Sequence, residues 1–167
     1  MSRVFVDTNV LVYRHVDRDP ARQRVARRRL LAEAARAELV IGTQVLHELY
    51  ATLVRPRQGG AYLTEAEAEQ VVHGLQEWEV VPTTRELSLR AIARVRRSRL
   101  SLWDALILEA ALQARCGLLL SEDFDHGWKV DGLRIEDPFA GEALHEEGPA
   151  YGAPAPARRR GARPPRP

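Results

Sequence analysis

The sequence predicts an α/β fold, with helices packed on both faces of a central parallel sheet of four to five strands. Short apolar runs alternate with longer helical stretches along most of the chain, which is the pattern of strand–helix–strand units. The chain has 167 residues, enough for one domain with a substantial core, and it contains no internal repeat. These observations favour a single three-layer α/β/α domain.

The predicted strands are short runs of β-branched and aliphatic residues, as expected where both faces of a sheet are buried. The first run ends at Asp7, the second at Gly42 and the third at Pro82. The runs are residues 4–6, 39–41, 80–81 and 118–120, and residues 133–135 are the candidate for a fifth strand.

The helical stretches carry start and stop signals. Pro20 suits the first turn of a helix, and Thr64 with Glu67 forms a capping-box pattern. Gly117 is predicted to occupy the C′ position after the last helix, because glycine accepts a left-handed backbone there. The predicted helices span residues 9–16, 20–36, 43–55, 84–97 and 101–115, with one more beginning at residue 64.

The composition changes after Glu147. Residues 148–167 are rich in Pro, Ala, Gly and Arg, with five arginines and no acidic residue. The whole chain has a net charge of +2, so residues 1–147 alone carry −3. A segment with so few apolar groups cannot bury enough surface to order itself, so we expect a folded domain over 1–147 and a disordered tail over 148–167.

Other features limit where the protein acts and how it is stabilised. Asp7 comes too early for a secretory signal, and no apolar run is long enough to cross a bilayer, so we expect a cytoplasmic protein without membrane contact. The single cysteine, Cys116, excludes an internal disulfide and a Cys-based zinc cluster. It ends an apolar helix and is predicted to be a small buried residue.

Four acidic residues are predicted to meet at the carboxyl edge of the sheet, where open α/β sheets form their sites. Asp7 directly follows the first strand, and Asp123 lies three residues after the end of the fourth. Glu48 lies in the second turn of the helix after the second strand, and Asp104 lies in the first turn of the last helix. Because all four positions are near strand ends, we expect their side chains to converge.

Each acid also has an ordinary structural explanation. Asp7 suits an N-cap, Glu48 suits the edge of an apolar helix face, and Asp104 suits a capping box with Ser101. Asp123 lies in an acidic turn, and the choice of ligand there stays open between it and its neighbours Glu122 and Asp125. The combination of four carboxylates therefore predicts a site more strongly than any single one.

Four clustered carboxylates indicate hard divalent cations. Like charges disfavour each other's ionisation, and a cation relieves this repulsion. A site made only of oxygen ligands suits Mg²⁺ or Mn²⁺, which activate water and stabilise charge at a phosphoryl group. The residues therefore predict phosphodiester hydrolysis.

Taken together, four stretches of the chain resemble the PIN-domain family, and in particular the VapC-type toxins of bacterial toxin–antitoxin pairs. The stretches are V-D-T-N-V-L-V at residues 6–12, Q-V-L-H-E-L-Y at 44–50, S-L-W-D-A-L-I at 101–107 and L-S-E-D-F at 120–124. Each is weak alone, but their order and spacing are quite specific. The Arg-rich tail is not part of this pattern.

The resemblance implies a PIN-like fold and Mg²⁺- or Mn²⁺-dependent endoribonuclease activity on RNA. It also implies a homodimer and inhibition by a small antitoxin protein. Carried over by position, the acidic quartet, which would hold the metal, falls on Asp7, Glu48, Asp104 and Asp123. The hydroxyl-bearing positions fall on Thr8 and Ser121, and Asp125 is a further supporting candidate.

Three other readings fit less well. A haloacid-dehalogenase-type phosphatase needs a second Asp two residues after Asp7, where this chain has Asn9. A receiver domain needs a phosphoacceptor Asp after its middle strand, but Val81 leads into Pro82 instead. A non-catalytic RNA- or partner-binding module of the same fold would not need acids at all four positions.

A basic segment precedes the Asp104 helix and is a candidate for contacts with RNA phosphates. A solvated helix face explains it at least as well. The residues are Arg94, Arg96, Arg97 and Arg99.

We predict that the tail is dispensable for folding and for cleavage. A chain truncated after Glu147 should keep its melting temperature and its RNA cleavage rate, because the removed residues have little to bury. A large drop in either quantity would contradict this. Weaker RNA binding at unchanged melting temperature would instead assign salt-sensitive phosphate contacts to the tail arginines.

Overall fold

A six-stranded sheet forms the centre of the fold in a computed structural model, which describes residues 2–17 and 19–140. The predicted tail lies outside the described residues. The strands are β1 Ser2–Val6, β2 Ala37–Gly42, β3 Glu79–Val81, β4 Leu118–Leu120, β5 Lys129–Val130 and β6 Leu133–Glu136. Their order across the sheet is β3-β2-β1-β4-β6-β5, and all neighbours are parallel except β5 and β6. The predicted parallel sheet is confirmed.

One strand, β5, was not predicted. It has two residues and pairs with β6 through an antiparallel hairpin whose loop is Asp131–Gly132, with φ of 49° and 86°. Two positive φ values favour Asp-Gly, the usual pair for a two-residue hairpin turn. A strand of two residues is too short to show a hydrophobic pattern, so only the Asp-Gly turn indicated a hairpin in the sequence.

Six helices connect the strands within the described residues. They are α1 Thr8–His15, α2 Pro20–Ala34, α3 Thr43–Val54, α4 Glu65–His73, α5 Arg85–Val95 and α6 Leu102–Gln113. The predicted caps are present: Pro20 opens α2, and Thr64 and Glu67 form a reciprocal capping box on α4. α1 packs on α2 and α3, α3 packs on α4, and α5 packs on α6. With this strand order, the general preference for right-handed crossovers assigns α1 to α4 to one face of the sheet and α5 and α6 to the other. None of these helices is both long and apolar enough to span a bilayer.

The order of the strands creates a crevice between β1 and β4. The chain runs outward from β1 to β2 and β3, and then returns to the other side of β1 to form β4. At such a reversal the connections leave in opposite directions, so a crevice opens at the carboxyl ends of the two strands. The Asp7 N–H donates to the Leu120 carbonyl at 3.0 Å, which joins the strand ends at this point.

The core continues from the sheet into α6. Phe5, Leu108 and Leu119 are fully buried, and most of α6 is buried, as its apolar sequence predicted. Two carboxylates within this interior are paired with arginines. Glu33 accepts from Arg29 at 2.7 Å and from Arg36 at 2.8 Å, while Glu109 accepts from Arg94 at 2.6 Å and from Arg90 at 3.2 Å.

The end of α6 corrects one expectation. Gly117 is not at C′; Arg115 occupies that position with a φ of 55°. The Arg115 N–H donates to Leu112 and the Cys116 N–H donates to Ala111, each at 3.0 Å, which completes a Schellman motif. The prediction was wrong because the helix ends two residues earlier than its apolar pattern suggested. Cys116 is buried, as predicted, and burial raises the pKa of its thiol to about 12.

We predict that Arg115→Gly stabilises the protein. A side chain at positive φ crowds the backbone, and glycine removes that cost, so the free energy of unfolding should rise by about 0.5–1 kcal/mol. Urea unfolding measures it. Arg115→Ala is the matched control, because it removes the same charge and side chain but keeps the Cβ. Equal stability of the Gly and Ala variants would contradict the prediction.

Candidate metal centre

Asp7 is the most buried acid of the candidate site, with 5% of its surface exposed. It follows β1 and caps α1: one carboxylate oxygen accepts from the Thr8 N–H at 2.7 Å, and the other accepts from the Ser121 hydroxyl at 2.6 Å. Within the described residues no basic side chain pairs with it. Burial raises the pKa of Asp7 from 3.8 to about 7, although both hydrogen bonds lower it, and the charges of Asp123 and Glu48 raise it further.

Glu48 is connected to Asp7 through one intervening residue. The Thr8 hydroxyl donates to one Glu48 oxygen at 2.9 Å, and the Gln44 amide donates to the other at 2.8 Å. Thr8 therefore bonds Asp7 with its backbone and Glu48 with its side chain. This arrangement fixes the start of α1 against α3 and holds the two carboxylates near each other.

Asp104 and Asp123 approach the same crevice from α6 and from the turn after β4. The Ser101 hydroxyl donates to Asp104 at 2.7 Å, and the Asp104 N–H donates to the Ser101 oxygen at 3.1 Å, so the predicted capping role is present. Partial desolvation raises the pKa of Asp123, and the negative charges of Asp104 and Glu48 raise it further. Asp123 therefore lies within electrostatic range of Asp7, Glu48 and Asp104.

Two further residues belong to this cluster and were not predicted. The Asn9 amide donates to Asp123 at 2.9 Å, while its carbonyl oxygen is buried without a hydrogen-bond partner in the described part of the chain. Asp137 directly follows β6, and its charge raises the pKa of both Asp123 and Glu122. Asp137 could have been predicted as a site residue because it directly follows a strand, as Asp7 does.

The two uncertain acids of the turn after β4 have different surroundings. Glu122 forms an ion pair with Arg22, whose guanidinium also donates to the Tyr13 hydroxyl at 2.6 Å. Arg22 lies over the rings of Tyr13 and Phe139, 4.9 and 5.2 Å from their centroids. Glu122 therefore already has a cation, whereas Asp125 is exposed.

The donor chemistry fits a hard divalent cation. The carboxylates of the cluster and the unpartnered Asn9 oxygen are all oxygen donors, which Mg²⁺ and Mn²⁺ prefer. Within the described residues, however, no three Asp, Glu, His or Cys side chains form a ready-made ligand set. Mg²⁺ usually retains several water ligands and needs only one or two direct carboxylates, so an open cluster of this kind suits it.

An open groove of about 670 Å³ adjoins the acids. Gln44, Glu48 and Trp103 line it. Trp103 is 62% exposed. An exposed aromatic ring beside an acidic site can stack on a nucleobase.

The basic segment before α6 divides into two parts. Arg94 pairs with the buried Glu109 at 2.6 Å and with Asp131 at 3.0 Å, so its guanidinium has a structural role. The other three arginines of the segment are exposed: Arg96, Arg97 and Arg99.

Comparisons with known proteins found structures of similar fold. The fold is similar to that of Mycobacterium tuberculosis VapC20, a toxin that cleaves the sarcin-ricin loop, with 21% identity, 73% of this chain and 89% of that chain covered, and a TM-score of 0.56. It is similar to a toxin–antitoxin complex from Klebsiella pneumoniae, with 20% identity, coverage of 81% and 98%, and a TM-score of 0.59. DNA-bound VapBC from Salmonella typhimurium gives 19% identity, coverage of 83% and 99%, and a TM-score of 0.59.

At these identities the solved structures establish the fold alone. A search of curated proteins found no match. The family model of the PIN domain, in contrast, matches residues 4–128, which is more than half of the chain and includes all four predicted acids. The chain belongs to the PIN-domain family.

Proposed function

We propose that this protein is a Mg²⁺- or Mn²⁺-dependent endoribonuclease that hydrolyses RNA phosphodiester bonds. The observation that carries the proposal is the buried Asp7 carboxylate, which has acidic neighbours and no basic partner within the described residues. Burying a charge without a counter-charge is costly, and sites where proteins accept this cost are frequently functional. A bound cation would supply the missing positive charge.

In this proposal Asp7, Glu48, Asp104 and Asp123 hold the metal. When bound, the metal ion supplies an activated water and stabilises charge at the scissile phosphate. Thr8 and Ser121 orient the carboxylates through the hydrogen bonds described above, and Asn9 orients Asp123. Trp103 offers a stacking surface for a base next to the cut, and the exposed arginines before α6 offer phosphate contacts.

We further propose a biological setting from the similarity to VapC-type structures. The protein would be the cytoplasmic toxin of a toxin–antitoxin pair, acting as a homodimer and held inactive by a small antitoxin. The PIN-like nuclease domain would extend to residue 147, with residues 148–167 as a separate tail.

We predict that Asp7→Asn abolishes cleavage. The substitution keeps the size and the N-cap of α1 but removes the charge that attracts the cation, so the rate should fall by roughly 100-fold or more. Cleavage of a generic RNA with and without Mg²⁺ measures it, and excess EDTA should stop the wild-type protein. Asp17→Asn, an exposed acid beyond the other end of α1, is the matched control and should keep full activity. RNA binding without cleavage would favour a non-catalytic module, and cleavage that persists in excess EDTA would contradict metal dependence.

We also predict that Asp7 makes the free energy of unfolding of the metal-free protein depend on pH. The folded-state pKa is about 7, above the usual 3.8, so the folded state holds a proton that the unfolded state has lost. The stability due to protonated Asp7 is therefore lost as the pH rises from about 4 to about 7, by up to roughly 4 kcal/mol. Urea unfolding in EDTA should show Asp7→Asn gaining on the wild type as the pH increases. A difference between the two that does not change with pH would refute the assignment.

A further inference from the structure

A second cavity lies at the opposite end of α1 from Asp7. It has a volume of about 510 Å³ and is lined by residues near the end of α1, from α2 and from the amino ends of two strands. Leu39 lies in the first half of β2, and Trp78 directly precedes β3. At 1.5 Å per residue, the eight residues of α1 separate this cavity from the acids by roughly 12 Å. We call it the basic pocket; its defining residues are Arg14, His15, Arg27, Leu30, Leu39 and Trp78.

Two arginines, Arg14 and Arg27, line the basic pocket. The Arg27 Nε donates to the Arg14 backbone carbonyl at 3.0 Å, which holds the Arg27 side chain against the end of α1. Within the described residues neither arginine pairs with a carboxylate, and no acid lines the pocket. Other arginines on the same helix are paired, as Arg22 is with Glu122 and Arg29 with Glu33. Two neighbouring cations without a counter-charge favour an anionic ligand.

His15 lines the basic pocket together with the two arginines. Burial lowers the pKa of its imidazole to about 4, and the charges of Arg14 and Arg27 lower it further, so the ring is neutral near pH 7. Its Nε2 atom is buried without a hydrogen-bond partner in the described part of the chain. The neutral ring of His15 lines the pocket, where it can pack against a flat, uncharged group.

The remainder of the pocket is apolar and partly aromatic. Leu30 and Leu39 are buried and form its floor, and the indole of Trp78 forms one side. The volume falls in the range of small-molecule sites, which extends from about 300 to 1,000 Å³. A flat group therefore fits beside Trp78 and the His15 ring, while an anionic group reaches the guanidinium forks.

We propose that the basic pocket binds a mononucleotide, with its phosphate on Arg14 and Arg27 and its base against Trp78 and His15. A guanidinium matches the geometry of a phosphate, and an aromatic ring stacks on any base. The site uses neither the acids nor a metal ion. It is thus independent of the proposed cleavage reaction and adds a second, non-catalytic nucleotide site to the protein.

Isothermal titration of the full chain with adenosine 5′-monophosphate in excess EDTA tests the proposal. We expect saturable binding, with adenosine and inorganic phosphate each at least about tenfold weaker, because each lacks half of the recognised groups. Arg14→Gln and Arg27→Gln should each weaken binding by about tenfold, since each removes a charge-assisted contact. Arg24→Gln is the matched control on the exposed face of α2 and should change nothing.

Asp7→Asn separates this proposal from the proposed function. Binding of adenosine 5′-monophosphate should be the same in that variant, whether or not the protein cleaves RNA. Loss of binding in Asp7→Asn would place the nucleotide at the acids and overturn the proposal. Absence of saturable binding would also overturn it, as would unchanged affinity in both Arg14→Gln and Arg27→Gln. Because Arg27 is exposed, its substitution should leave the fold intact, which circular dichroism checks.

Discussion

The buried carboxylate of Asp7 is the constraint around which the rest of the site is arranged. The strand order brings the ends of β1 and β4 together, and this juxtaposition both buries Asp7 and supplies the Ser121 hydroxyl that bonds it. The same fold surrounds Glu33 and Glu109 with arginines. Basic side chains thus neutralise Glu33 and Glu109. Among the described residues, no basic side chain neutralises Asp7 in the same way. That difference distinguishes a structural acid from a candidate ligand.

The first turn of α1 connects this constraint to the other acids. Three consecutive residues, Asp7, Thr8 and Asn9, contact Ser121, Glu48 and Asp123 respectively. A shift of α1 relative to the sheet would therefore disturb all of these contacts together. Rigid positioning of this kind favours chemistry that depends on placing charges accurately, at the cost of the repulsion between carboxylates.

The two ends of α1 have opposite electrostatic character. The amino end meets carboxylates, and the carboxyl end carries Arg14 with Arg27 close by. Both arrangements complement the helix dipole, which favours negative groups at the amino end and positive groups at the carboxyl end. One short helix thus separates an acidic site suited to a cation from a basic pocket suited to an anion.

The sequence by itself determined the α/β class, the parallel core of the sheet and the capped helices, because these depend on local patterns. It also predicted the four acids as a candidate site, from the rule that sites form at strand ends. It could not show that Asp7 lacks a basic partner, that Glu122 has one in Arg22, or that Asn9 holds Asp123. These facts depend on contacts between residues about 100 positions apart, as the pairs Asp7–Ser121 and Arg22–Glu122 illustrate. The basic pocket likewise combines α1, α2 and the residues before β3, none of which is unusual in isolation. Only the tertiary structure decided these features, because burial and charge pairing are properties of the packed chain and not of its local sequence.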